Sequence, residues 1–403
     1  MAFHFIPTLS FPSEWLILHS FFNRRILLSM SQITHNKSLR TIFRLFLAGC
    51  MLLSVRVSKA SEAPEAKFDA GKMIVEHISD AHDWHLWGEH EHAVSVPLPI
   101  IVYTEGRGFT GFLSSHFHHG TQAYRGYRLE ENGTIVAVNE LKQLAVEETT
   151  VNEELTAATY DLSITKNVAS LLFSIALLLW IFLSVAKAYR RREGMPPSGM
   201  QSLVEPLIVF VRDEIAKPSI GPKYMKYMPY LLTVFFFIWI NNLLGLVPII
   251  PGGANLTGNI AVTMTLAVIT FIITTVSANR NYWQHIFAMP GVPAGVLVLL
   301  TPIELLGVFL RPFVLMIRLF ANITAGHIIA LSFFSLIFIF GEMSTGLGLG
   351  VSVFSVAFVI FMSLLELLVA FLQAFVFTLL SAIYFGSAVE EHHHEGHEGH
   401  HAH

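Results

Sequence analysis

Arg318 lies in the segment RLFANITAGH, in the middle of a long apolar stretch. A guanidinium does not lose its proton in a protein. Holding one at the centre of a bilayer costs roughly 3 kcal/mol on insertion scales. Other polar groups recur around it at helical spacing. Asn322, four residues on, shares its face; Arg311, seven before, falls about 20° away, and Glu304, fourteen before, about 40° away. His327, nine residues on, points to the opposite face, where a neighbouring helix can meet it. On the next apolar segment Glu366 and Gln373 are seven apart and share a face. Acids and histidine pick up and release protons, whereas an arginine keeps its own.

Such a stripe needs long membrane helices to carry it. The chain has 403 residues, 53% hydrophobic and 13% charged, about half the charge of an average soluble domain. Val168–Val185 is one uncharged run, long enough for a tilted crossing. A basic loop follows over 187–226, and within it Gln201–Ile215 is amphipathic, as expected of a short helix on the membrane surface. Residues 227–279 carry no charge, and PIIPGG at 248–253 supplies the turn of a two-span hairpin. The last two apolar segments, Pro293–Phe340 and Leu347–Ser387, far exceed the length of one upright crossing. Two long, slanting helices joined by an outer loop, Gly341–Gly346, fit best, with Pro312 free to kink the first. The expected fold class is therefore an all-α polytopic membrane protein with five membrane helices and a small extracytoplasmic region containing some β-structure.

The remaining segments read as follows. Residues 1–60 form an extension ending in an export signal: Lys37, Arg40 and Arg44, then the apolar run Leu45–Val55, then Ser58-Lys59-Ala60 as a cleavage site. An uncleaved anchor and a lipoprotein signal at Cys50 are weaker alternatives, and Met30 is an alternative start. Residues 61–164 are the extracytoplasmic region, with a hairpin over Gly126–Val138 and a strand over Val96–Thr104. Excess Lys and Arg in 187–226 puts that loop in the cytoplasm and 61–164 outside. Residues 165–389 form the membrane domain, and 390–403 a His-rich, solvated cytoplasmic tail. The net charge of −4 gives no reason to expect a nucleic-acid partner, and the single cysteine excludes an internal disulfide. No cofactor or metal motif stands out. Scattered surface histidines are a better reading of His77, His82, His85, His90, His92, His116, His118 and His119 than a zinc site.

RLFANITAGH, together with FLQAFVFTLLSAIYF (Phe371–Phe385), PIELLGVFLRPFVLMIRLF and NNLLGLVPIIPGG, resembles subunit a of the F-type ATP synthase membrane sector over about 165–390. The resemblance implies a proton-translocating stator subunit, not catalytic alone, in a bacterial inner membrane. Its implied partners are the c-subunit ring, the b-subunit peripheral stalk and the rest of the synthase. It implies that Arg318 faces the ring carboxylates, that Glu304 belongs to an inner half-channel, and that Asn322, His327, Glu366 and Gln373 belong to an outer one. Arg311 is an accessory candidate, and Asn241 and Asn242 are expected to bond between helices. Leu246–Gly258 lacks the acid some members carry, which leaves the outer mouth open to a contribution from 61–164. The alternative is an ion-coupled secondary transporter, which calls for an inverted repeat. None is evident in the chain. An intramembrane hydrolase would need a nucleophile–base pair or metal motif, and none stands out.

Overall fold

A computed structural model describes residues 69–87, 94–130, 132–247, 253–289 and 292–390. The export signal and the His-rich tail beyond Glu390 lie outside the described residues, as do residues 248–252.

The extramembrane region opens with helix α1 (Ala70–Ile78) and continues as short strands. These are β1 (Asp83–Trp87), β2 (Val94–Pro97), β3 (Pro99–Thr104), β4 (Gly108–Leu113), β5 (Gln122–Ala123), β6 (Tyr127–Leu129), β7 (Ile135–Ala137) and β8 (Leu144–Ala145). A single helical turn, α2 (Glu153–Ala157), and strand β9 (Thr159–Asp161) complete the region. All pairings are antiparallel, and the largest sheet runs β4-β3-β9. In β3 the alternation is strict: Ile100, Val102 and Thr104 are buried, while Pro99 and Ile101 face out. Ile100 and Val102 pack with Phe117, Tyr127, Ile135 and Ala137 in a small core.

The expected hairpin is present as β6 and β7, paired from Tyr127↔Ala137 to Leu129↔Ile135. Its turn is longer than an Asn-Gly pair. The Glu130 amide donates to the Thr134 carbonyl, and Gly133 takes a φ of 80°. The expected single strand over Val96–Thr104 is broken at Leu98. Pro97 and Pro99 flank it without donors, and the buried Leu98 gives its amide to the Ser114 hydroxyl. The chain thereby changes sheets, from β2 on β1 to β3 on β4. His82 is buried rather than on the surface and bonds Asp161 at 2.9 Å. Burial alone would raise the Asp161 carboxyl, but bonds from His82 and Ser163 outweigh it and hold it below its usual range. No group of three His, Cys, Asp or Glu side chains among the described residues is placed to hold a metal.

Among the described residues, five apolar helical stretches are long enough to cross a membrane. The first is α3 (Lys166–Arg191). Its start is tied to the extramembrane region through Asp80, which accepts from the Asn167 amide at 3.0 Å and the Thr165 hydroxyl at 2.8 Å. A carboxylate there meets the positive end of the helix dipole. Lys166 returns the link through its ammonium, which donates to the Ser79 carbonyl.

The second stretch is built from α4 (Met200–Phe210), a π-turn over Val211–Ala216, α5 (Lys217–Ile220) and α6 (Tyr224–Leu246). The expected surface helix over 201–215 thus runs on further. It is also packed rather than free: Val204, Val211, Ile215, Ala216 and Ile220 join the main core. A side chain at Gly386 would overlap the Ser219 carbonyl, so glycine allows the last helix to approach this segment. The hairpin partner of α6 is α7 (Ile260–Ser277), followed by the short α8 (Arg280–Phe287).

The last two helices, α9 (Ala294–Met343) and α10 (Thr345–Val389), are continuous over 50 and 45 residues. At about 75 Å, α9 is more than twice the thickness of a bilayer core. The expected loop Gly341–Gly346 shrinks to Ser344, because Gly341 and Gly348 let the two backbones touch; a Cβ on Gly348 would stand 2.8 Å from the Gly341 Cα. The helix α10 packs on α6, α7 packs on α9, and α1 from the extramembrane region also reaches α9. Leu231, Phe235, Ile238, Leu315, Leu319, Phe377 and Phe385 form the centre of the membrane core.

Candidate functional site

The site grows from the two faces of α9. Leu315 and Leu319 are 1% exposed and Met316 is 7% exposed, so this face belongs to the core. Arg318 lies on the other face and is exposed, among the exposed Phe313, Val314 and Ile317. Asn322 is exposed as well, one turn further on. Among the described residues no carboxylate stands within ion-pair distance of Arg318. A permanent cation thus stands on an apolar outer surface, turned away from its own chain's core.

Towards the start of α9 the stripe turns inward. Arg311 is half-buried, donates to the Tyr282 hydroxyl at 3.4 Å and sits 5.6 Å over the Tyr384 ring. These three residues, with Thr270 and Thr274, line a narrow cleft. Glu304 is half-buried and acts electrostatically on the same Tyr282 hydroxyl as Arg311 does. Both tyrosines meet Arg311, and spacing on α9 alone does not reveal them. Tyr384 lies within the motif Phe371–Phe385; for Tyr282 the chain offers no signal beyond its nearness to basic Arg280.

Beyond Arg318, three helices meet. Gly326 has no side chain, and the Glu366 carboxyl fills that space: its Oε1 lies 2.6 Å from where a Cβ would stand. The neighbouring His327 turns to α6, with Nε2 3.9 Å from the equivalent point on Gly245. Spacing put His327 opposite Arg318, and it does meet a neighbouring helix, α6. Gln373 is 4% exposed and lies further along α10. The amide of Asn242 donates to the Ala370 carbonyl at 3.2 Å, and its oxygen accepts from the Thr257 hydroxyl at 2.6 Å. Asn242 is an interhelical bond, as expected, whereas Asn241 donates back to Phe237 on its own helix.

Several polar atoms are buried without a hydrogen-bond partner, among them Glu366 Oε1, Thr324 Oγ1, Asn241 Oδ1 and Asn255 Nδ2. An unpaired buried polar atom costs about 1–3 kcal/mol, and most native structures avoid it. Arg318 and Asn322 thus form an outward cationic surface, whereas Glu366 and His327 are half-buried between helices and Gln373 is buried seven residues further along α10.

Comparison with known proteins gives this arrangement its context. Residues 168–386 match the family described as ATP synthase A chain. The chain belongs to this family. A relative from Chlorobaculum tepidum, ATP synthase subunit a 2, is 46% identical over 253 residues, covering 61% of this chain and 68% of its own length. ATP synthase subunit a of Chloroherpeton thalassium is 43% identical, covering 59% of this chain and 71% of itself. That of Myxococcus xanthus is 42% identical, covering 60% and 77%. Residues 73–162 match a separate family described only as Domain of unknown function (DUF8433). As an ATP synthase A chain the protein is a multi-pass, proton-translocating subunit of the synthase membrane sector, not an enzyme by itself.

Proposed function

We propose that this ATP synthase A chain moves protons through two offset half-channels separated by Arg318, which faces the carboxylates of a c-subunit ring. The observation that carries this reading is the exposed guanidinium on the apolar outer face of α9. Left against lipid it costs roughly 3 kcal/mol; a passing carboxylate offsets that cost. The cation in turn favours the ionised form of the acid, so a proton is released as the acid arrives. Glu304 belongs to the inner half-channel, with Arg311 as an accessory. Asn322, His327, Glu366 and Gln373 belong to the outer one. The unpartnered Glu366 Oε1 and its neighbours support a hydrated route on that side. The b-subunit stalk would hold the subunit fixed while the ring turns. We place it in a bacterial inner membrane, with 61–164 outside and the carboxyl terminus in the cytoplasm, from the basic residues of 187–226.

The decisive experiment is Arg318→Ala in synthase reconstituted in vesicles. ATP-driven acidification should vanish while the assembled complex still hydrolyses ATP. Retained coupled pumping would overturn the role given to Arg318, and failure of the complex to bind a ring-forming subunit would overturn the partner.

A further inference from the structure

The sheet β4-β3-β9 has two unlike faces. One packs on the small core through Ile100 and Val102, both 0% exposed. The other carries Ile101, Tyr103, Phe109, Leu113, Tyr160 and Leu162. Phe109 is 73% exposed and Tyr160 and Leu162 are each 57% exposed. Register places these side chains together: Tyr103 pairs with Phe109 on one side and with Tyr160 on the other. Their rings make one row, 4.8 Å and 6.4 Å between centroids. None of the six is charged, and the one acid in these strands, Asp161, bonds His82 instead. A contiguous apolar surface of this kind on a small domain marks a contact site.

Its position decides what it contacts. Strand β9 continues into α3 through Leu162–Thr165, and this link stays bonded to the sheet: the Leu162 amide donates to the Ile101 carbonyl and the Ile164 amide to the Pro99 carbonyl. Val168, the first exposed apolar residue of α3, follows Leu162 by six residues, at most about 21 Å of extended chain. Asp80 caps α3 and α1 packs on α9, so the domain is seated on the membrane helices at two further places. We propose that the outer face of this sheet rests on the bilayer interface, on whichever side the domain lies, with the Tyr103, Phe109 and Tyr160 rings at the level of the lipid headgroups. Tyrosine at that depth places its ring in the apolar layer and its hydroxyl in water. The face ends six residues before the exposed Val168 of α3, and none of its six side chains is a charge that a headgroup layer would have to desolvate. This gives the domain of residues 73–162 a ligand, the lipid surface, independent of how protons move through the rest of the chain.

The test is depth measurement in the assembled synthase, reconstituted in phosphatidylcholine–phosphatidylglycerol vesicles. Phe109→Cys, Leu113→Cys and Leu162→Cys, each in a Cys50→Ser background, would be spin-labelled and compared with Lys142→Cys on an exposed loop. Labels on the sheet should be more accessible to dissolved oxygen than to a water-soluble nickel chelate, and the label at 142 the reverse. Equal chelate access at 109, 162 and 142 would show the face in water and overturn the proposal. Labels on the sheet shielded from both reagents would show a protein partner there and overturn it as well. Coupled ATP hydrolysis in each variant confirms that the assembly is intact.

Discussion

Beyond Arg318, a residue with no side chain meets an acid. Gly326 is the reason the Glu366 carboxyl can lie against α9 next to His327. If that carboxyl relays protons, its charge and its position both matter, and two substitutions separate them. Glu366→Gln keeps the shape and removes the titrating group; Gly326→Ala keeps the acid and displaces its far end by the bulk of one methyl group. Both should slow passive proton flux through the membrane sector by more than about tenfold, equivalent to about 1.4 kcal/mol on the barrier. Flux measured with a pH-sensitive dye in vesicles stripped of the soluble head checks this. If Glu366→Gln flows normally, Glu366 is packing only; if only Gly326→Ala is normal, the carboxyl works from another rotamer. Spacing on one helix shows the stripe of Glu304, Arg311, Arg318 and Asn322. It does not show the contact of residues 326 and 366, because the turn that brings them together lies near residue 344.

Elements differ in how far their sequence reveals them. The crossings stand out because long charge-free runs have few alternatives in a bilayer, and the hairpin at 127–137 because turn residues separate two β-prone runs. The break at Leu98 depends on two prolines and a serine sixteen residues away. The π-turn at Val211–Ala216 packs against α6 and α10, a tertiary contact with no local signal. The joint between the extramembrane domain and α3 is also non-local, since Asp80 and Asn167 are far apart in the chain. Asp80→Ala removes two bonds and a charge from the start of α3, leaving Thr165 with a long bond of 3.4 Å to the Val168 amide. A lost cap of this kind costs about 1 kcal/mol. Hydrogen exchange should rise several-fold at the amides of Lys166 and Asn167 and stay unchanged in α6. Unaltered protection at those two amides would mean that the seat is held by other contacts.

On the scale of the molecule, the groups that can carry protons are divided by one that cannot. Glu304 lies fourteen residues before Arg318 and His327 nine after it, about 21 Å and 14 Å along the helix axis. Between Glu304 and His327 the polar side chains along α9 are Arg311, Arg318, Asn322 and Thr324, none of which exchanges protons readily near neutral pH. In the function proposed above, a proton passes Arg318 only on a moving carrier, so the subunit by itself should be nearly proton-tight. The two ends are also unlike. Both are half-buried, but one Glu366 oxygen is buried without a partner, whereas Glu304 lies within the first three turns of its helix and acts on the Tyr282 hydroxyl. Water can substitute for a carboxyl more easily at such an end than in the interior. Glu304→Gln should accordingly reduce ATP-driven pumping by a few-fold, well short of the loss in Glu366→Gln. Comparing initial pumping rates of the two variants at equal ATP hydrolysis decides the matter. A Glu304→Gln loss as deep as that of Glu366→Gln would mean the inner path has no second route, and the asymmetry argued from burial would fail.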